Sequence, residues 1–211
     1  MNLVDRIENY WSKRSDDFFD LRIEELKSDK RQLWKDEIIA NLPDKEHLKI
    51  LDVGCGPGFF SVILSSLGHD VIGIDLTESM IQKADEVADI LDYDIDFRVM
   101  NAQELDFDDE EFDVVISRNL TWTLPDIEKA YKEWYRVLKK DGVLLNFDAD
   151  YGKVSLKEEM KSLGEEHSHN MMDSSLVKEC DDIKQELEIS KRRRPMWDEK
   201  FLQEIGFESC K

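Results

Sequence analysis

The chain has 211 residues, of which 29 are basic, 49 are acidic and 41% are hydrophobic. This length suffices for one sizeable α/β core, and the net charge of −20 would repel a phosphate backbone, so we expect no nucleic-acid partner. Neither a signal peptide nor an apolar run of membrane-spanning length is apparent, which predicts a cytoplasmic protein without membrane contact. The cysteines are odd in number and widely spaced, so we expect reduced thiols without a disulfide or zinc site at Cys55, Cys180 and Cys210.

Residues 1–40 mix charged side chains with apolar and aromatic ones at nearly helical spacing, among them Ile7, Tyr10 and Trp11. The spacing predicts amphipathic helices that pack on the body of the protein. Their aromatic side chains would then contribute to the core.

A short apolar strand that ends in Asp52 is followed by a glycine-dense turn and an apolar helix. Gly54, Gly56 and Gly58 allow positive φ and a close approach to a ligand, toward which the next helix points its N–H groups. Dinucleotide pyrophosphate loops have the spacing G-x-G-x-x-G, but here Phe59 stands in the third glycine's place. Because Asp52 can accept a hydrogen bond from an ammonium group, an ammonium-bearing ligand fits better than a diphosphate.

A second buried strand is predicted over residues 70–75, and it ends in Asp75. In βαβ folds an acid at this distance from the glycine turn binds the ribose of the ligand. We therefore expect Asp75 to bind both ribose hydroxyls.

These two motifs resemble those of the class I S-adenosylmethionine-dependent methyltransferases. Residues 51–58 are similar to the first motif of that family, and residues 73–80 are similar to the second, in the same order. The resemblance covers about residues 40–150. It implies an α/β fold: a Rossmann-like, doubly wound and mostly parallel sheet of the seven-stranded type, with helices on both faces.

Further strands are predicted at 96–100 and 112–119, and a helix, a tight turn and a fifth strand at 134–145. Asp113 is interpreted as a solvated residue outside any site, because ligands bind beyond the opposite ends of the strands. In the family, the third strand leads to the adenine, the fourth ends beside the methionine moiety, and an N-terminal helix often folds over the cofactor. The resemblance therefore implies a cofactor site formed by Asp52, Gly54, Cys55, Gly56, Gly58, Asp75, Leu76, Met80, Asn101, Ala102, Gln103, Arg118, Tyr10 and Arg14.

Asn119 and Trp122 follow the fourth strand, whose end adjoins the transferred methyl group in the family, so the resemblance implies that they shape the acceptor site. The Asn/Asp-Pro-Pro-aromatic motif of the family's enzymes for planar nitrogens is not found here, which favours a small-molecule acceptor. Arg194 belongs to the one dense basic cluster, residues 191–194. Its guanidinium can bind an acidic group of the acceptor or, equally, neutralise acidic neighbours.

Residues 151–195 form a polar insertion with helical spacing over 177–187, and in the family an insertion at this place caps the acceptor pocket. The insertion contains His167 and His169 in an H-x-H arrangement. Because no matching set of acidic, histidine or cysteine ligands lies near them in the sequence, we interpret both as solvated and predict no metal site.

The sequence predicts a single domain in four parts: helices over the cofactor site at 1–40, a Rossmann-like core at 41–150, a helical cap at 151–195, and the last helix with the start of a terminal strand at 196–211. The last strand of the fold's terminal antiparallel pair is expected to be missing. An exposed sheet edge can pair with another chain, so we expect a monomer or a homodimer.

We interpret the chain as an enzyme that transfers a methyl group from S-adenosylmethionine to a small molecule, leaving S-adenosylhomocysteine. A sulfonium is already an activated leaving group, so in-line displacement requires mainly alignment and desolvation, and no residue is identified as a general base. Two alternatives remain. An NAD(P)-dependent oxidoreductase is favoured by Asp75 and opposed by Asp52 and Phe59, whereas a non-catalytic S-adenosylmethionine-binding regulatory protein would share the same fold and pocket.

Overall fold

Five parallel strands form the centre of the computed structural model, which describes residues 1–162 and 173–210. The strands are β1 (Lys49–Val53), β2 (Asp70–Asp75), β3 (Asp96–Val99), β4 (Phe112–Arg118) and β5 (Leu138–Phe147). They lie in the order β3-β2-β1-β4-β5, so the strand order reverses between β1 and β4. In an open parallel sheet, ligands bind at such a reversal, outside the carboxyl ends of the strands. The predicted α/β fold is thereby confirmed, with five strands in the described residues rather than seven.

Helices cover both faces of the sheet and its carboxyl end. They are α1 (Leu3–Lys27), α2 (Lys30–Ile39), α3 (Phe59–Ser65), α4 (Glu78–Leu91), α5 (Ile127–Val137), α6 (Leu156–Ser162), α7 (Ser174–Glu186) and α8 (Met196–Ile205). The first helix starts at a capping box, in which the Asn2 side chain accepts from the Asp5 N–H and the Asp5 side chain accepts from the Asn2 N–H. The α1 helix then packs against α2, α4 and α7. His167 and His169 lie outside the described residues.

The hydrophobic core has two halves, one on each face of the sheet. Successive side chains of a strand point to opposite faces, so Leu51 and Val53 join the half with α5 and α7, whereas Ile50 joins the half with α3. Strand β4 is buried over almost its whole length. Because the sheet is buried on both faces, its strands are nearly continuous apolar runs, which is why the sequence pattern identifies them.

Strand β5 differs from the sequence-based expectation. It follows α5 directly, and a bulge takes the place of the expected tight turn. Phe112 pairs with Leu138 and Val114 pairs with Val143, so residues 139–142 of β5 lie opposite the single residue 113 of β4. Residues 207–210 after α8 form no strand. An open groove of about 1730 Å³ runs along β5, and the described residues that line it include none of the glycine turn.

Asp113 is buried, which corrects its interpretation as a solvated residue. Its carboxylate accepts hydrogen bonds from Lys45 Nζ at 2.8 Å, Lys139 Nζ at 2.9 Å and the Lys49 N–H at 3.0 Å. Burial alone would raise the pKa of this carboxyl, but the three donors lower it well below its usual range. Asp113 lies at the amino end of β4, away from the ligand-binding edge of the sheet, so its role is structural.

The Asp113→Asn variant is expected to unfold more easily than the wild type at pH 7, by about 1–2 kcal/mol, because two charge-assisted bonds are lost while both lysines stay half-exposed. A lowered folded-state pKa stabilises the protein above the unfolded pKa of about 3.9, and this contribution is lost as the pH falls below that value. Urea unfolding should therefore show a difference between wild type and variant that shrinks toward pH 3. Asp106→Asn, at an exposed position, is the control and should change stability by less than about 0.5 kcal/mol.

Candidate functional site

The glycine turn between β1 and α3 lies at the reversal of strand order. Gly54, Gly56 and Gly58 have φ angles of 67°, 51° and 78°, the conformation for which glycine is suited. A Cβ atom at Gly54 would lie 2.7 Å from the Leu120 side chain, whereas a Cβ at Gly56 would meet no atom within 4 Å. The backbone at Gly56 therefore faces open space, as a turn that receives a ligand must.

Two carboxylates at neighbouring strand ends lie beside this turn. Asp75 Oδ2 accepts from the Gly56 N–H at 3.1 Å and Asp75 Oδ1 from the Thr77 N–H at 2.9 Å. Asp52 is 2% exposed and accepts from Ser61 Oγ at 2.6 Å. Burial raises the pKa of Asp52 to about 7, and burial also raises the pKa of Asp75. A ligand that brings positive charge to Asp52 would relieve this unfavourable burial.

A cavity of about 580 Å³ opens above the turn, and α1 covers it. One stripe of α1 faces the cavity with helical spacing, at positions 4, 7, 10, 11, 14, 18, 21, 22 and 25. Nearly all of the residues predicted for the cofactor site lie in the cavity wall: Asp52, Gly54, Cys55, Gly56, Asp75, Leu76, Met80, Asn101, Ala102, Gln103, Arg118, Tyr10 and Arg14. The exception is Gly58, where an added Cβ would lie 3.0 Å from the Phe97 ring and 3.3 Å from the Ala84 Cβ.

The loop after β3 is fixed by its own amide side chains. Asn101 Oδ1 accepts from the Gln103 N–H at 3.0 Å, and Gln103 Oε1 accepts from the Asp126 N–H at 2.6 Å. The Trp134 Nε1–H donates to the Ala102 carbonyl at 2.9 Å. These bonds fix the conformation of the loop, which lines the cavity together with the buried side chain of Met80.

Arg118 closes another end of the cavity, where it forms a buried ion-pair cluster with α1. Its Nη1 and Nη2 lie 3.2 Å and 3.3 Å from the two Glu25 oxygens, and Arg22 also donates to Glu25. The Arg118 guanidinium lies 4.4 Å from the centre of the Trp34 ring. Although burial opposes it, the two guanidinium groups lower the pKa of Glu25, which stays charged. Sequence reasoning missed Arg22 and Glu25, whose only local signal is their i,i+3 spacing on α1.

Another part of the cavity wall, the aromatic wing, is formed by Trp11, Trp122 and Tyr151. The ring centres of Trp11 and Trp122 are 6.0 Å apart, and those of Trp122 and Tyr151 are 5.6 Å apart. Asn119, with a φ of 54°, accepts from the Tyr151 hydroxyl at 3.0 Å through Oδ1 and from Trp122 Nε1 at 2.9 Å through its carbonyl. Asn119 and Trp122 thus line the same cavity as the glycine turn, and Lys184 of α7 completes this wing.

Arg194 does not line this cavity, which corrects its assignment to the acceptor site. Its Nε donates to Asp198 Oδ2 at 2.9 Å, its Nη2 donates to Thr121 Oγ1 at 2.6 Å, and its Nη1 lies 3.6 Å from Asp148 Oδ2. Only 7% of its side chain is exposed. These contacts match the alternative interpretation, in which the Arg194 guanidinium neutralises acidic neighbours. Arg194 is therefore not assigned to the acceptor site.

Three further observations concern the described ranges 1–162 and 173–210. Cys55, Cys180 and Cys210 are free thiols there. No three histidine, cysteine or acidic side chains in these ranges are grouped as a metal ion would require. None of the helices in them combines the length and the apolar character needed to cross a bilayer.

The sequence matches one family model and several named relatives. Residues 51–146 match the model described as "Methyltransferase domain". The ubiquinone/menaquinone biosynthesis C-methyltransferase UbiE of Rickettsia prowazekii is 35% identical over 144 residues, which cover 64% of this chain and 57% of that protein. The ubiquinone biosynthesis O-methyltransferase of Pelagibacter ubique is 33% identical over 99 residues, which cover 47% and 41%. The chain therefore spans about half the length of these relatives.

Solved structures with the same fold include the PH0226 protein of Pyrococcus horikoshii, which is 30% identical with a TM-score of 0.54 over 67% of this chain and 63% of that one. The mmp1179 protein of Methanococcus maripaludis is 18% identical with a TM-score of 0.66, over 94% of this chain and 85% of that one. At this identity the similarity concerns the fold alone. The order of the strands, the glycine turn and the strand-end carboxylates are all consistent with the family match. Residues 51–146 are therefore identified as a methyltransferase domain of the class I, S-adenosylmethionine-dependent type.

Proposed function

We propose that the protein transfers a methyl group to a small-molecule acceptor by in-line displacement. The observation that carries this proposal is the continuity of the cavity, which runs from the glycine turn and Asp75 to the aromatic wing at Trp122. One bound molecule can then present a reactive group to another without crossing bulk water. Two relatives are named as a C-methyltransferase and an O-methyltransferase of quinone biosynthesis, which supports a small-molecule acceptor.

The residues in the wall suit the chemical groups of S-adenosylmethionine. Each oxygen of the Asp75 carboxylate has a second lone pair for a ribose hydroxyl, beyond its backbone bond. Asp52 offers negative charge for an ammonium group, and Arg118 offers a guanidinium for a carboxylate. The loop 101–103 and Met80 would border the adenine. Bound here, the cofactor supplies an activated methyl group.

The protein's own contribution is enclosure and alignment. The α1 stripe covers the cavity, so a bound ligand would be partly shielded from water, which strengthens its electrostatic contacts with the wall. Tyr10 is 3% exposed, and because burial raises the pKa of its hydroxyl, it remains a hydrogen-bond donor or acceptor rather than a base at neutral pH. We therefore assign no general base and no catalytic residue.

The test is calorimetric titration of the protein with S-adenosylhomocysteine and, separately, with NADH, followed by a methyl-transfer assay with a panel of phenols, catechols and quinols. We expect S-adenosylhomocysteine to bind, NADH to leave no heat signal, and at least one acceptor to be methylated. If NADH binds and S-adenosylhomocysteine does not, the oxidoreductase alternative would be favoured over the methyltransferase. Binding of S-adenosylhomocysteine without methylation of any acceptor would favour the regulatory alternative.

A further inference from the structure

One short turn of the chain carries the centre of the aromatic wing. Thr121–Thr123 is a 3-10 helix that follows β4, and all three of its residues are buried. Its Trp122 ring contacts two other aromatic rings, with centres 6.0 Å away in Trp11 and 5.6 Å away in Tyr151. A helix of three residues satisfies few of its own backbone groups, so its conformation depends on partners outside it.

The carboxylate of Asp148, which comes directly after β5, is such a partner. Its Oδ2 accepts from the Trp122 N–H at 3.2 Å and also from the Thr121 hydroxyl. Its Oδ1 accepts from the Ala149 N–H at 2.7 Å. Only 2% of the Asp148 side chain is exposed, so these bonds form where there is little water to replace them. One carboxylate thus ties the turn that carries Trp122 to the end of β5.

Arg194 attaches the same turn to α8. Its Nη2 donates to Thr121 Oγ1 at 2.6 Å, and its Nε donates to Asp198 Oδ2 at 2.9 Å. Burial raises the pKa of the Asp148 carboxyl, whereas the Thr121 hydroxyl and the positive charge of Arg194 act against this rise. The guanidinium therefore favours the ionised carboxylate, which is the form that accepts from the Trp122 N–H.

Neither Asp148 nor Arg194 is part of the cavity wall. Both line the groove along β5, whereas Trp122 lines the cavity. The two charged residues can therefore act on a molecule in the cavity only through the turn between them. The Trp122 ring is held a second time by its Nε1–H, which donates to the Asn119 carbonyl at 2.9 Å. Backbone and ring of this tryptophan are thus fixed independently.

We propose that Asp148 and Arg194 are positioning residues, which hold the Trp122 ring as the wall against which a flat ring of the methyl acceptor packs. This inference rests on the proposed function, because it concerns the acceptor in the same cavity. Aromatic rings pack favourably edge to face or offset, and an indole offers a large area for such contacts. A ring that is already fixed loses little conformational freedom when the acceptor binds, so the network increases affinity without touching the acceptor.

The test uses protein labelled with 5-fluorotryptophan and the neutral aromatic probe 2-naphthol. The chain has five tryptophans, and the fluorine resonance of Trp122 is identified by its loss in Trp122→Phe. Trp34 on α2, whose ring contacts Phe60 and Phe147, is identified in the same way and serves as the reference. In wild-type protein saturated with S-adenosylhomocysteine, 2-naphthol should shift the resonance of Trp122 and leave that of Trp34 in place.

Asp148→Asn should weaken 2-naphthol binding about fivefold or more and change S-adenosylhomocysteine binding by less than about twofold. Whichever way the amide turns, its NH₂ group faces one of the donors from which the carboxylate accepts. Thr121→Val removes the hydroxyl between Asp148 and Arg194 and should have the same selective effect, whereas Thr121→Ser keeps the hydroxyl and should bind both ligands as the wild type does. Asp141→Asn, at an exposed position of β5, is the matched control.

Equal weakening of both ligands by Asp148→Asn would show a role in stability alone and overturn the inference. An unchanged affinity for 2-naphthol in that variant would also overturn it. If Asp148→Asn fails to fold, the comparison of Thr121→Val with Thr121→Ser decides.

Titration with S-adenosylhomocysteine alone separates the two levels of the argument. If this ligand does not bind to the wild type, the proposed function is contradicted. If it binds but 2-naphthol does not shift the Trp122 resonance, only the role assigned to Trp122 and its two positioning residues is contradicted.

Discussion

Asp75→Asn is expected to weaken S-adenosylhomocysteine binding about 100-fold, equivalent to about 2.7 kcal/mol. The carboxylate has two tasks in the structure, since it accepts from the Gly56 and Thr77 N–H groups and also faces the cavity. An amide replaces one acceptor oxygen with an NH₂ donor, which would point at a backbone N–H or at a ribose hydroxyl. Calorimetric titration of wild type and variant at pH 7.5 measures the change.

Asp70→Asn provides the control for this measurement, because Asp70 lies exposed at the other end of the same strand. The control should bind S-adenosylhomocysteine as the wild type does. A change of less than about threefold in Asp75→Asn, with the protein still folded, would contradict the assignment of Asp75 to the ribose.

The glycine turn and its two carboxylates are predictable from the sequence because they depend on local rules. Each acid stands at the end of a short apolar strand, and parallel pairing places these ends side by side, with Asp52 opposite Gly73 and Val53 opposite Ile74. Three glycines in five residues identify the positive φ angles. The strand order of the fold then puts the motifs on one edge of the sheet.

Contacts between distant segments are not predictable in this way. Glu25 and Arg118 are 93 residues apart in the sequence, and the period of α1 shows only which face is apolar, not which side chain of β4 meets it. The donors to Asp113 come from two separate segments, residues 45–49 and Lys139. For Arg194, the basic run suggests a ligand, but the fold brings Asp148 to it, together with Asp198 one helical turn away.

Asp52 is expected to make cofactor binding pH-dependent. Burial raises its pKa to about 7, so the carboxyl is largely protonated at pH 6 and largely ionised at pH 8 in the free protein. If only the ionised form binds the ammonium group of S-adenosylhomocysteine, the affinity follows the ionised fraction and rises about tenfold from pH 6 to pH 8. At pH 6, ligand binding should then release about 0.9 proton from the Asp52 carboxyl to the buffer. This number is the dependence of the observed binding enthalpy on the ionisation enthalpy of the buffer.

The Asp52→Asn variant separates this effect from every other titrating group. It should bind about tenfold more weakly than the wild type at pH 8, because a charge-assisted contact becomes a neutral one, and its affinity should not change between pH 6 and pH 8. The Asn variant retains an oxygen that can accept from Ser61, so the turn keeps its support. A wild-type affinity that is constant over this pH range would place the ligand's ammonium away from Asp52. A pH dependence that persists in Asp52→Asn would assign the titrating group elsewhere, with buried Asp75 as the next carboxyl to vary.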